Sequence, residues 1–138
     1  MEKMYTATVT ATGGRNGKVV SSDDVLNLDV RMPKELGGSG GKATNPEQLF
    51  AAGYAACFDS ALNFVIRQKK VKVEGTEVTA NVSIGKDDGG GFQLEAELDV
   101  SVKGVQSETA RELVEAAHQV CPYSKATRGN IEVTLNVK

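Results

Sequence analysis

The sequence holds a single histidine and two cysteines, with no C-x-x-C pair. One histidine leaves no obvious nucleophile-and-base pair, and without C-x-x-C a thioredoxin-type site is excluded. Nor is there an excess of base. Sixteen Lys and Arg stand against 18 Asp and Glu, for a formal net charge of −2 and a pI near 5.5. That balance argues against nucleic acid as a main partner, because neutralising phosphates takes clustered cations. No apolar run approaches the roughly 20 residues that span a bilayer. The opening Met1-Glu2-Lys3-Met4-Tyr5-Thr6 lacks a signal peptide's apolar stretch. The expectation is a cytoplasmic protein with no membrane partner. The glycine runs match neither phosphate-binding fingerprint. No repeat and no linker divides the chain, so residues 1–138 are expected to form one domain.

What is present fits a soluble globular protein: 40% apolar and 25% charged residues over 138 positions. Tyr5 to Thr12 alternate as a strand, and Gly13-Gly14-Arg15-Asn16-Gly17 reads as a turn. Lys18–Ser22 and Val25–Val30 then complete an antiparallel meander, and Gly37-Gly38-Ser39-Gly40-Gly41 is a loop. Asn45-Pro46-Glu47 starts a helix, with Asn as N-cap, Pro at the first helical position and an acid in the first turn. This helix should run to about Lys70. Its middle, Leu49 to Leu62, is apolar or small nearly all round, so it should be buried on most sides. A chain of this length can hardly surround such a helix alone, which predicts a dimer. Val71–Ile84 and Phe92–Val102 read as strands. A second helix, capped by Ser107, carries the stripe Ala110, Leu113, Val114, Ala117 and Val120, and Pro122 stops it at Cys121. Ile131–Val137 alternates as a last strand. The order β-β-β-α-β-β-α-β predicts an α+β protein, with helices packed on antiparallel sheet.

Cys57 lies midway along the first helix. A free cysteine there is ordinarily a small core residue, and burial should raise its pKa. The helix dipole cannot offset this three turns in. A reactive Cys57 therefore needs a cation brought by tertiary structure. Arg67, ten residues on, lies roughly 15 Å down the axis. Arg15, Arg31, Arg111 and Arg128 are the other candidates, and Arg15 stands out because glycines flank it. Read without more, it is a solvated turn residue. Glu47 is either a carboxylate supporting the helix dipole or a clamp that orients an arginine through charge-assisted hydrogen bonds. Cys121 ends the second helix before a proline. In a cytosolic chain a disulfide is more often transient and catalytic than structural. His118 reads as a helix-surface residue. A zinc site from Cys57, Cys121 and His118 lacks paired ligand spacing.

Two strings carry a family resemblance. Asn45-Pro46-Glu47-Gln48-Leu49-Phe50-Ala51-Ala52-Gly53-Tyr54-Ala55-Ala56-Cys57-Phe58 resembles the first cysteine motif of the organic hydroperoxide resistance proteins. Val120-Cys121-Pro122-Tyr123-Ser124-Lys125-Ala126-Thr127-Arg128-Gly129-Asn130 resembles the second. The sister branch, the osmotically inducible OsmC proteins, shares the fold and both cysteines, but Phe50 and Gly53-Tyr54 look like the hydroperoxide branch. The resemblance implies an intertwined homodimer with a long buried central helix and active sites at the subunit interface. It implies that Cys57 is the peroxidatic cysteine, Cys121 the resolving one, and Arg15 and Glu47 the pair that activates the thiolate. It implies no metal, haem or flavin cofactor. The implied substrates are alkyl and fatty-acid hydroperoxides, and the implied reductant a lipoyl dithiol rather than thioredoxin. Three other functions stay open on the residues alone: a broader OsmC-type peroxidase, a non-catalytic dimeric ligand-binding module, and a thiol–disulfide oxidoreductase acting on proteins.

Overall fold

Alternation at the start of the chain does give a meander. In the computed structural model, which describes residues Met1–Lys138, β1 (Val9–Thr12), β2 (Gly17–Ser21) and β3 (Asn27–Val30) form an antiparallel sheet in that order. The first strand begins four residues later than the alternation suggested, because Tyr5 to Thr8 have no partner strand within the chain. Gly13 and Gly14, at φ +75° and +59°, turn the chain between β1 and β2. Gly17 closes that turn, and a Cβ added there would collide with the Thr12 carbonyl oxygen. Gly17→Ala should therefore cost about 1–3 kcal/mol through overpacking and lower the melting temperature by several degrees in a thermal scan. The sheet continues into a single parallel bridge, Val30 to Thr44. Together with the first helical residues this forms one compact unit, Met1–Leu49.

The long helix, α1, runs unbroken from Pro46 to Lys69. Its start is the one the sequence announces: Asn45 Oδ1 accepts the Gln48 N–H at 2.8 Å. It is long and apolar enough by composition to cross a membrane, which the search for an apolar run missed. Its alanines and glycine count as apolar, and between Leu49 and Ile66 only Tyr54, Asp59, Ser60 and Asn63 carry polar groups. In the single chain it buries one stripe, Tyr54, Phe58, Ala61, Leu62, Val65 and Ile66. The expected burial on most sides is thus not met within one chain. Ala52, Ala56, Ser60 and Phe64 form an uncovered stripe along the helix.

The second unit, Phe50–Lys138, holds the core. β4 (Gly75–Lys86) and β5 (Phe92–Lys103) pair antiparallel over twelve positions. In β5, Ala96, Leu98, Val100 and Val102 point inward while Glu95, Glu97 and Asp99 point out. The inward row joins one cluster with Phe58 and Leu62 of α1 and with Leu113 and Val114 of α2 (Ser107–Val120). Four expectations need correction here. β4 starts at Gly75, not Val71, because residues 71–73 lack a ladder partner. The residue before α2 is Gln106, and Ser107 is already helical, without a side-chain cap. Val120 leaves the apolar stripe and stands 46% exposed. Finally, β6 (Glu132–Val137) pairs with β5 in parallel, not antiparallel. A parallel return needs a crossover, supplied by α2 and a further short helix, α3 (Pro122–Thr127), that the sequence reading did not separate.

Candidate functional site

Two groups of residues assemble, one in each unit. In the first, Arg15 sits on the Gly13–Gly17 turn and Glu47 in the first turn of α1. Arg15 Nη1 donates to Glu47 Oε1 at 2.9 Å and to Oε2 at 3.1 Å. Both groups are half-buried, with side chains 28% and 13% exposed. The solvated-turn reading of Arg15 is replaced by a held one. The clamp is narrower than a fork on a fork: one nitrogen takes both carboxylate oxygens, so Nη2 and Nε keep their donors for another acceptor. Arg31 is otherwise engaged, donating to the Gly17 and Val30 carbonyl oxygens.

In the second unit, the Cys57 thiol lies close to the Cys121 thiol, although 64 positions separate them in sequence. Both are free thiols, Cys57 half-buried and Cys121 fully buried. Cys121 occupies the corner between α2 and α3, extended at φ −63°, ψ 122° as the following Pro122 requires. Burial pushes the Cys57 thiol above its ordinary value, the nearby Tyr123 backbone N–H pulls it back, and Cys121 adds to the rise. Burial prevails in this unit by itself, as expected for a mid-helix thiol.

Cys57 opens into a groove of about 350 Å³ walled by Ala61, Phe64, Val120 and Pro122. Val120, absent from the core, is therefore part of this wall. Arg67 lines the same groove, although its Cα was counted too far along the axis. Helical side chains lean toward the N-terminus, so a long arginine covers the turn before its own. A second hollow, about 320 Å³ and almost wholly apolar, continues past Pro122 to Phe50, Tyr123 and Ala126. Its aromatic edges belong to a trio in which Phe50, Tyr54 and Tyr123 lie 5.8–6.5 Å apart between ring centroids.

Beneath the cysteines lies a polar cluster that sequence reasoning missed. Tyr54, Ser124 and Thr127 are buried. The Tyr54 hydroxyl is 2.8 Å from Ser124 Oγ and 3.2 Å from Thr127 Oγ1. His118 Nδ1 lies 2.9 Å from Ser124 Oγ. His118 is thus half-buried, with one ring nitrogen turned to this cluster. Burial lowers its pKa, the nearby Arg128 guanidinium lowers it further, and Glu115 opposes. Arg128, considered above as a cation for Cys57, is bonded through Nη2 to the His118 carbonyl at 2.6 Å. The one available signal was Tyr54 itself: a tyrosine in the buried stripe of α1 must find a partner for its hydroxyl. Cys57, Cys121 and His118 do not combine into a set of three metal-ligating side chains.

Comparison with known proteins gives a consistent picture. Residues 38–136 match the family model for OsmC-like proteins. The chain is 60% identical over 142 aligned positions to organic hydroperoxide resistance protein OhrA of Bacillus subtilis, covering 99% of this chain and 97% of that one. It is 53% identical over 135 positions to the organic hydroperoxide resistance protein of Xanthomonas axonopodis pv. citri, covering 97% and 94%. The crystal structure of an organic hydroperoxide resistance protein from Elizabethkingia anophelis superposes with a TM-score of 0.95 at 59% identity, covering 100% of this chain and 99% of that one.

Proposed function

The chain belongs to the OsmC-like family, in its organic hydroperoxide resistance branch, and from that premise we propose that it is a thiol peroxidase that reduces organic hydroperoxides to alcohols. One observation carries the reading: two free thiols lie close together, and one of them, Cys57, opens on an apolar groove. The Cys57 thiolate attacks the distal peroxide oxygen and breaks the O–O bond. The alkoxide takes a proton and leaves as alcohol, and Cys57 becomes a sulfenic acid. The Cys121 thiol displaces the sulfenic hydroxyl as water, giving a Cys57–Cys121 disulfide. An external dithiol then reduces that disulfide by exchange and is itself oxidised. A dihydrolipoyl group, a dithiol on an alkyl arm, suits a groove with apolar walls.

Arg15 supplies the cation that the raised Cys57 thiol requires. Glu47 holds one edge of its guanidinium, and the free edge pairs with the thiolate and then with the developing alkoxide. Groove walls of Ala61, Phe64, Val120 and Pro122 bury the substrate's alkyl group, which favours organic peroxides over hydrogen peroxide. The working form is a homodimer. The uncovered α1 stripe and the exposed Tyr5, Val9 and Leu28 of the first unit are apolar surface of the kind a partner covers.

The competing readings, a binding module and a protein oxidoreductase, are separated by counting free thiols before and after one equivalent of an alkyl hydroperoxide. The peroxidase loses both thiols and releases stoichiometric alcohol. An unchanged thiol count would overturn the proposal in favour of a binding module. Slow oxidation by peroxide combined with fast exchange against protein disulfides would overturn it in favour of the oxidoreductase.

A further inference from the structure

The buried polar cluster lies between the two cysteines' own helices. Tyr54 is one turn before Cys57 on α1. His118 is one turn before Cys121 on α2. Ser124 and Thr127 are on α3, which Cys121 leads into, and Cys121, Ser124 and Thr127 repeat as its buried row. Thr127 donates to the Ser124 carbonyl at 3.1 Å, so its oxygen is left to accept. Ser124 Oγ stands at the centre, hydrogen-bonded to His118 Nδ1 on one side and to the Tyr54 hydroxyl on the other. Tyr54, Ser124 and His118 thus form one hydrogen-bonded chain, and no buried side-chain polar atom is left without a partner. Each bond joins a different pair of helices. Ser124 also directly follows Tyr123, whose backbone N–H lies near the Cys57 sulfur and lowers its pKa.

We propose that Tyr54, Ser124 and His118 are positioning residues that hold Cys121 and the Tyr123 N–H at Cys57, and so set how often the Cys57 sulfenic acid closes to disulfide before a second peroxide reaches it. The inference rests on the peroxidase reading above. Two reactions compete for one intermediate. In closure, the Cys121 thiol and the sulfenic acid give disulfide and water. In over-oxidation, a second organic hydroperoxide transfers an oxygen to the sulfenic sulfur, giving sulfinic acid and a second alcohol. Closure is intramolecular and depends on where Cys121 is held. Over-oxidation is bimolecular and does not. A loosened Cys121 therefore shifts the partition toward sulfinate at a given peroxide concentration.

The experiment uses full-length protein and cumene hydroperoxide. The peroxide concentration that diverts half of the protein to sulfinate is read by intact mass. Ser124→Ala removes a single oxygen from the centre of the chain, and Tyr54→Phe removes the hydroxyl at its end. Losing one such bond is worth about 1 kcal/mol, so each variant should over-oxidise at a several-fold lower peroxide concentration, about tenfold at most. A stability-matched control, Val100→Ala in β5, separates positioning from general loosening, and it should keep the native partition. Ser124→Thr, which retains the hydroxyl, should recover at least part of the native value. A native partition in both Ser124→Ala and Tyr54→Phe overturns the proposal, as does an equal shift in Val100→Ala. Should Tyr54→Phe fail to fold, Ser124→Ala and the control decide alone. Failure of the peroxidase reading looks different: the unmodified protein then releases no alcohol.

Discussion

Replacing Cys57 by serine is expected to abolish peroxide reduction, with a loss of at least about 10⁴-fold in the rate of alcohol release, in the range seen when other enzymes lose their nucleophile. A serine hydroxyl is scarcely ionised at neutral pH, and its oxygen is a poor nucleophile toward a peroxide. The loss should be close to total because no second thiol can substitute: Cys121 is wholly buried at the helix corner while only Cys57 opens on the groove. Cys121→Ser should behave differently. It keeps the attacking sulfur and the groove, so it should release about one equivalent of alcohol in a first turnover. It then has no thiol to displace the sulfenic hydroxyl. The protein should accumulate as sulfenic acid, and as sulfinic acid when peroxide is in excess. Stopped-flow alcohol release combined with intact mass distinguishes the two variants. Normal steady-state turnover of Cys121→Ser with a dithiol would remove Cys121 from the mechanism. The pH dependence has a defined sign. Because burial raises the Cys57 pKa in its own unit, more of the reactive thiolate appears as pH rises. Any cation delivered to the site shifts that rise to lower pH.

The pair of thiols was only partly legible in the sequence. Pro122 fixes where α2 ends and so fixes the corner on which Cys121 sits, a local effect that one residue determines. Asn45-Pro46-Glu47 likewise fixes the start of α1, and the cap bond appears as expected. That Cys57 and Cys121 meet depends on packing between residues far apart in the chain, and the family resemblance, not local pattern, pointed to it. The direction of β6 was illegible for a related reason. Alternation has period two in either direction, so Glu132–Val137 looks the same parallel or antiparallel. Only the crossover through α2 and α3 decides. The short α3 is hidden in the sequence because Pro122 marks the end of α2, although a proline at the first helical position also starts a helix. The Tyr54–Ser124–His118 chain spans 70 positions between its first two members, and no periodicity encodes it.

Mixing Glu47→Ala subunits with Cys57→Ser subunits is expected to restore activity that neither variant has alone. The argument starts from helix geometry. Glu47 and Cys57 lie on one helix that runs unbroken from Pro46 to Lys69, and their ten-residue separation corresponds to roughly 15 Å of axial rise. That is too far for both to grip the same arginine head directly. A break in α1 could have brought them together, but Gly53 is accommodated as an ordinary helical residue under the Tyr123 hydroxyl, 2.8 Å from where its Cβ would be. The remaining route is a second copy of the chain. If two copies of α1 cross antiparallel about a two-fold axis near residue 52, Glu47 of each approaches Cys57 of the other, as the symmetry requires. The uncovered stripe at Ala52 and Ala56 suits that crossing, because small side chains let helix axes approach closer than the usual 8–10 Å or so. In a heterodimer of the two variants, one site keeps both Glu47 and Cys57 and the other loses both. With random exchange at equal concentrations about half of the dimers are mixed, so the mixture should recover about a quarter of the unmodified activity per subunit, by the same two-fold counting. The measurement is alcohol release before and after exchange, with heterodimer formation verified by native mass. A mixture that stays inactive while heterodimers are present would place Glu47 and Cys57 of one chain in one site, and α1 would then have to bend in solution to allow it.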